Sequence, residues 1–431
     1  MDAARLCRIQ KSDAGTAYSH LGMLRRGTVA VFHQSGRRHE TDPSDRHASA
    51  VYQLRRHLAG IHVGKDRFAD QTDQRTDRRR VEEDGDVTYR ILLAAGGTGG
   101  HIIPSIAFGL WLQKRGESVI WLSGSRPLED EIYKAHGVVP QRLPLEGSPL
   151  GVSGLRSLTR WKHLFSSFFE ARAILKKERI DRCVLFGGYL SMPVLLAARC
   201  LHVPVLMHEQ NTVAGKVTRF AARCGIPVAC AWEDCKGLDT AKKIVTGMPL
   251  REIRLIDKKD AQKRLLGTFL RDDEKLIIIL GGSLGSGGLR KVLQDAQNMI
   301  KSTSCKVLCM GIKAEDRPFP EALVHEACWD MTTVFSAADM IVCRAGASTL
   351  AELRALGIPV LVVPWLKAVG QHQLSNAQYF SKLTGAPVFL EGSSQEQFRA
   401  ALQSVAERRV SCEDLSAGAV KLYEALRSLT V

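Results

Sequence analysis

No Cys-x-x-Cys pair occurs in this chain, and no His or Cys cluster completes a metal site around Cys305 and Cys309, the nearest approach to a ligand pair. The eleven cysteines are odd in number and scattered, mostly in apolar runs. They read as reduced core thiols, which fits a reducing cytosol. No apolar stretch reaches membrane-spanning length, which argues against a spanning protein and leaves a membrane-surface one open. The start of the chain lacks an apolar stretch behind a basic one, which argues against a secretory signal. Two nucleotide fingerprints are also missing. After Gly97 and Gly99, a dinucleotide-binding turn would place glycine at 102, where Ile102 stands. The Gly-Lys-Ser/Thr of a P-loop is absent from the same turn.

What is present is length and patterned hydrophobicity. The 431 residues are 45% apolar, enough for two domains with cores. Net charge is +15, unevenly spread: residues 1–80 hold fourteen Arg and two Lys against nine acids. Residues 1–86 lack periodic apolar pattern, and the run from Asp70 to Arg80 cannot bury a core. Three readings compete there. One is a basic tail touching nucleic acid or anionic lipid. One is an organelle transit peptide, which nine acids oppose. The preferred one is a disordered or misassigned extension, with the functional protein starting near Val87.

From Thr88 strands and helices alternate, which predicts parallel sheets flanked by helices. Predicted strands are Tyr89–Ala95, Ser118–Ser123, Arg182–Phe186, Val203–His208 and Ala241–Thr246, with a helix over Ile102–Arg115 carrying Pro104 in its first turn. A crossover over 247–275 leads to a second series. Its strands are Leu276–Leu280, Cys305–Met310, Met340–Cys343 and Val360–Val363. Its helices are near Gly288–Lys301, Ser348–Leu356 and Gln373–Leu383, closed by Gln395–Arg408 and Cys412–Leu426. The expected domains are 87–250 and 276–431, joined by 251–275, with the last helix able to pack back on the first.

Each series opens on an apolar strand and a glycine turn: Gly96-Gly97-Thr98-Gly99-Gly100-His101, and Gly281-Gly282-Ser283-Leu284-Gly285. Such a turn aims backbone N–H groups and a helix dipole at an anion, and without side-chain bulk it lets a ligand approach the backbone. His101 is a candidate general base, and equally a capping or packing histidine. In Arg344–Leu353, Ser348 or Thr349 can cap a helix. Glu352, one turn in, can accept both hydroxyls of a ribose or serve as a capping-box glutamate. Gly187-Gly188-Tyr189 and His208-Glu209-Gln210-Asn211 follow strands of the first series, where open α/β sheets bind ligands. A loop brace explains Glu209 as well as a ligand role does. Arg251, in Thr246–Arg251 at the junction, can reach a diphosphate or stand as a surface arginine. Gln371–Gln373 and Asn376 can read a sugar or form a solvated helix start. Leu155–Phe169 interleaves aromatic and basic residues, which suits an anionic membrane surface or a core-facing helix with a solvated face.

In this order the motifs closely resemble the MurG-type N-acetylglucosaminyltransferases of peptidoglycan synthesis, from about Tyr89 to the C-terminus. The resemblance implies an α/β protein of the GT-B fold, two Rossmann-like parallel-sheet domains facing a cleft. It implies transfer of N-acetylglucosamine from UDP-GlcNAc to the C4 hydroxyl of lipid I at the cytoplasmic membrane face, giving lipid II, with no cofactor or metal. By the same resemblance Thr98, Gly99 and Gly100 line the sugar side and His101 is the base at the acceptor hydroxyl. Tyr189 and Asn211 lie on the substrate side, Asn211 at the donor sugar. Arg251 and Ser283 hold the diphosphate, and the backbone at Cys328 meets the uracil. Ala347, Ser348, Thr349, Leu350, Ala351 and Glu352 wrap the nucleotide, Glu352 on the ribose. Gln373 contacts the sugar hydroxyls. The chain departs from the family at Met248, Leu284 and Gln371, where Asn, Gln and an acidic residue are usual; the first two put supporting polar contacts in doubt. Two alternatives stay open: another GT-B enzyme (a glycolipid glycosyltransferase or a UDP-GlcNAc 2-epimerase), and a nucleotide sensor with an Arg-rich tail. No nucleic acid partner is expected.

Overall fold

The computed structural model describes residues 88–430 apart from 149–154, 240, 282–288, 290–291, 295–296, 298–303, 326–327, 369–370 and 407–413, and it describes no side chains for 155–158. Residues 1–86, Ser283 and Leu284 therefore lie outside the described residues. The first half runs β1 (Arg90–Ala94), α1 (Gly99–Gln113), β2 (Ser118–Ser123), α2 (Pro127–Ala135), β3 (Gln141–Arg142), α3 (Leu155–Lys177), β4 (Arg182–Leu185), α4 (Ser191–Cys200), β5 (Val205–Glu209), α5 (Lys216–Arg223), β6 (Val228–Cys230) and β7 (Lys243–Val245). The second runs α6 (Lys258–Leu266), β8 (Lys275–Leu280), β9 (Cys305–Met310), β10 (Leu323–His325), α7 (Met331–Ala337), β11 (Met340–Cys343), α8 (Ala347–Leu356), β12 (Val360–Val362), α9 (His372–Thr384), α10 (Gln395–Ala406) and α11 (Ala417–Arg427).

Two wholly parallel sheets result, in the orders β3-β2-β1-β4-β5-β6-β7 and β10-β9-β8-β11-β12. Their central strands are apolar on both faces because helices cover both. Along β1, Leu92 and Ala94 enter the core under α3, α4 and α5, while Ile91 and Leu93 enter the core under α1 and α2. In β8, Leu276 and Ile278 meet α6, α7 and α8, and Ile277 and Ile279 meet the opposite layer with Phe398. The last helix belongs to the first sheet's core: Ala419, Leu422, Ala425 and Leu426 of α11 pack with Ile91 and Leu93. Arg182 caps it by donating to Leu426 O and Leu429 O at 2.8 and 2.7 Å. Gly418 permits the crossing, since a Cβ there would stand 2.1 Å from Met248 O.

Several predicted boundaries shift. Pro204 supplies no N–H to the ladder, and β5 begins just after it, at Val205 rather than the predicted Val203. The first glycine turn closes earlier than predicted, because Gly99 and Gly100 join α1 with Thr98 as its N-cap. Pro104 therefore lies inside the helix rather than in its first turn.

Candidate active site

Both sheets end their strands toward one set of loops, and several contacts join the halves. The first follows from Pro104. A helical residue 104 would donate its N–H to the carbonyl of Gly100, and proline has none. That carbonyl instead accepts from Ser348 Oγ at 3.0 Å, across the halves. Ser348 thus does not cap its own helix; α8 has Gly346 as N-cap and no side-chain cap. The first-turn N–H groups of α8 carry its positive dipole end at this point.

In the second contact, Arg251 donates Nε to Glu352 Oε1 at 2.7 Å and an Nη to Oε2 at 2.8 Å. The Glu352 side chain is 3% exposed, and the pair is bidentate. Glu352 is therefore no capping-box residue. Two of its four lone-pair sites remain. His136, at the end of α2, is near this pair and packs edge-on against Trp329. Burial holds its imidazole below the usual histidine range.

The third contact centres on Asn376 of α9. Its Oδ1 accepts from the N–H and hydroxyl of Thr212 at 2.9 and 3.0 Å, and its Nδ2 donates to Asn211 Oδ1 and Ala345 O at 3.1 Å. The Asn376 amide is thus fully used and 2% exposed. It fixes the Asn211 amide, whose Nδ2 donates to Glu209 Oε1 at 3.2 Å. Glu209 is a loop brace: its other oxygen accepts from Gly215 N and Thr218 Oγ1. The fourth contact is the Lys114–Glu252 ion pair, which is exposed.

His101 stands in the first turn of α1 against the bare backbone of Gly187 and Gly188, both at positive φ (85° and 73°). A Cβ at Gly187 would lie 3.5 Å from His101 Cε1, and one at Gly188 2.9 Å from Gly96 O. His101 Nδ1 is 2.7 Å from Gln210 Oε1. Gln210 Nε2 is 2.9 Å from both His208 Nδ1 and His208 O, and His208 Nε2 is 3.1 Å from Gly247 O. Burial pushes His208 down to about 4.

A consequence concerns stability. The unfolded chain protonates His208 near its ordinary value of 6.5 and the folded chain near 4. Above pH 6.5 both are neutral; as pH falls through this window the unfolded state binds the extra proton, and stability is lost. Urea unfolding should show wild type losing about 3 kcal/mol more than His208→Gln between pH 7 and pH 4. Parallel losses would contradict the buried neutral imidazole.

Other sequence-predicted residues fall in varied places. The Tyr189 hydroxyl donates to Glu129 Oε1. Gly97 N donates to the same buried carboxylate at 2.6 Å, so Glu129 holds the glycine turn. Ala347 and Ser348 open α8, but the Leu350 and Ala351 side chains lie in the second core, and Leu350 N bonds Gly346 O. Thr349 stands beside Gly346. Gln373 Oε1 accepts from Trp365 N at 2.9 Å. Cys328 is half-buried, its thiol pushed up by burial. Sequence reasoning missed Glu129, His136 and Trp329; no local pattern marks them, since their partners come from distant segments.

Comparison with known proteins adds the family. The glycosyltransferase family 28 N-terminal domain matches residues 91–226, and its C-terminal domain matches 276–421. A UDP-N-acetylglucosamine–N-acetylmuramyl-(pentapeptide) pyrophosphoryl-undecaprenol N-acetylglucosamine transferase of Pseudomonas fluorescens is 35% identical over 316 residues, which is 68% of this chain and 82% of the relative. The chain belongs to this MurG family of transferases. A like-named protein of Ectopseudomonas mendocina is 34% identical over 336 residues, 73% of this chain and 88% of the relative. Among solved structures, Acinetobacter baumannii MurG covers 79% of this chain and 99% of its own at TM-score 0.58 and 24% identity. A putative UDP-N-acetylglucosamine 2-epimerase from Listeria monocytogenes reaches TM-score 0.57 at 14% identity, covering 80% and 96%. These likenesses establish the GT-B fold, which the MurG family shares with enzymes of other reactions.

Proposed function

We propose that this protein transfers N-acetylglucosamine from UDP-GlcNAc to the C4 hydroxyl of the N-acetylmuramyl group of lipid I, forming lipid II with inversion at the anomeric carbon. Family membership supports the substrates. The observation that carries the mechanism is the Ser348–Gly100 hydrogen bond, which brings the loop bearing His101 to the N-terminus of α8.

The donor lies along the second half. The leaving diphosphate meets the α8 N-terminus and the remaining Nη of Arg251, and the family resemblance assigns Ser283 to it as well. Glu352 keeps lone pairs for the ribose hydroxyls while holding Arg251. The backbone at Cys328 takes the uracil, and the backbone from Ala347 to Ala351 follows the nucleotide. Asn211 has one amide N–H left for the sugar, and Gln373 has its NH2. Thr98, Gly99, Gly100 and Tyr189 border the sugar from the first half. His101 takes the acceptor proton on the sugar face opposite UDP, so attack inverts the anomeric carbon. Joined halves exclude water, the competing nucleophile. Labelled UDP-GlcNAc mixed with lipid I tests this: label must move to the lipid with release of UDP, and no transfer would refute it.

The acceptor's lipid carrier supports a site of action at the cytoplasmic face of the inner membrane. Among the described residues no helix is long and apolar enough to cross a membrane. On α3, Trp161, Phe165 and Phe169 recur at helical spacing and are 39%, 61% and 65% exposed, while Phe168 packs on the core. This favours an interfacial face over a core-facing one, with Lys162 and His163 beside it. Trp161→Ala with Phe165→Ala should reduce binding to anionic vesicles severalfold; unaltered binding would remove this segment from the interface.

A further inference from the structure

Gln210 and His208 have no part in the donor or acceptor contacts above, yet both are polar, 1% and 0% exposed, and in line with His101. The carbonyl oxygens at their ends decide where the hydrogens lie. His208 O can only accept, so the Gln210 atom 2.9 Å from it is the NH2 group. The opposite end, 2.7 Å from His101 Nδ1, is then the amide oxygen, which also only accepts. His101 Nδ1 must therefore carry hydrogen. At the far end Gly247 O can only accept, so His208 Nε2 carries hydrogen. A buried neutral His208 then has a lone pair on Nδ1, and it takes the second Gln210 N–H. Every donor in the chain meets an acceptor, and the reverse orientation sets oxygen against oxygen at His208 O.

We propose that Gln210 and His208 are positioning residues that lock His101 as the Nδ1–H tautomer, leaving Nε2 as the atom that takes the acceptor's proton. Gly187 and Gly188 complete the seat: both hold positive φ, where side chains are strained, and a Cβ at Gly188 would meet Gly96 O at 2.9 Å. In the reaction the acceptor oxygen bonds to the anomeric carbon and its proton passes to His101 Nε2. The bond from that carbon to the diphosphate oxygen breaks with its electron pair on UDP. Gln210 Oε1 keeps its hydrogen bond to Nδ1–H throughout. The relay is neutral along its length, with an amide where a carboxylate often stands beside a catalytic imidazole.

This inference rests on the general-base reading of His101, and its test separates the two. Long-range proton–nitrogen NMR of the unliganded enzyme, carrying nitrogen-15 histidine, reports the tautomer directly, with the His101 signals assigned by their loss in His101→Gln. A protonated Nδ1 and an unprotonated Nε2 are expected; the opposite pattern overturns the relay. Gln210→Leu should mix the tautomers and lower kcat about 10- to 100-fold at little-changed donor KM. A Gln210→Leu enzyme that melts earlier but keeps the wild-type His101 signals would make Gln210 merely structural and overturn the proposal. Failure of the general-base reading would show separately, as unimpaired turnover in His101→Ala.

Discussion

His101→Ala is expected to lower kcat by about 10²- to 10⁴-fold, the range a positioned general base contributes. The KM for UDP-GlcNAc should change little. The reason is spatial: the groups assigned to the diphosphate and ribose, Arg251, Glu352 and the start of α8, lie on the junction and second half. His101 lies on the first-half helix α1, held by Gln210 from β5's loop and by the bare backbone of Gly187 and Gly188. Removing the imidazole deletes the proton acceptor and leaves the donor grip in place. Steady-state kinetics with lipid I as acceptor measures both constants. Unchanged turnover would take His101 out of the mechanism, and an equal loss in kcat and donor binding would make it a donor contact.

The second large effect is on stability. Arg251→Ala leaves Glu352 a buried carboxylate with no cation beside it, which costs about 3–5 kcal/mol. The double variant Arg251→Met with Glu352→Gln removes the charge as well and should recover most of that loss. It should not recover donor binding, because the diphosphate still lacks its guanidinium and the ribose its carboxylate. Urea unfolding and the donor KM, measured on the three proteins, separate the structural from the binding role. If Arg251→Ala unfolds like wild type, the ion pair contributes nothing to the fold. If the double variant binds UDP-GlcNAc normally, neither residue holds the donor.

The fold was legible where burial on both faces writes an unbroken apolar run. β9 and β11 fall on the predicted residues, and β1 and β8 within one at each end. The strands β3, β6 and β10, two or three residues each, were not predicted, whereas the equally short β7 and β12 fall inside predicted strands. The helices α2, α4, α5 and α7 were missed too. The glycine turn showed its position but not its end: Gly99 and Gly100 read as loop and joined the helix. At the site, His101, Arg251 and Glu352 were identifiable as chemistry. That Arg251 and Glu352, 101 positions apart, hold each other was not. Nor was the consequence of Pro104, whose missing N–H matters only once Ser348 arrives from the other half. Glu129, in an acidic stretch that resembles a solvated helix face, is fully buried.

Product identity tests the two-lobed transfer most directly. The enzyme, given UDP-GlcNAc and lipid I, should yield UDP and a β-linked N-acetylglucosamine on the C4 hydroxyl of the muramyl sugar, and no sugar product when lipid I is left out. An α-linked product, or conversion of UDP-GlcNAc to its 2-epimer without any acceptor, would contradict attack by a first-half base on a donor held in the second.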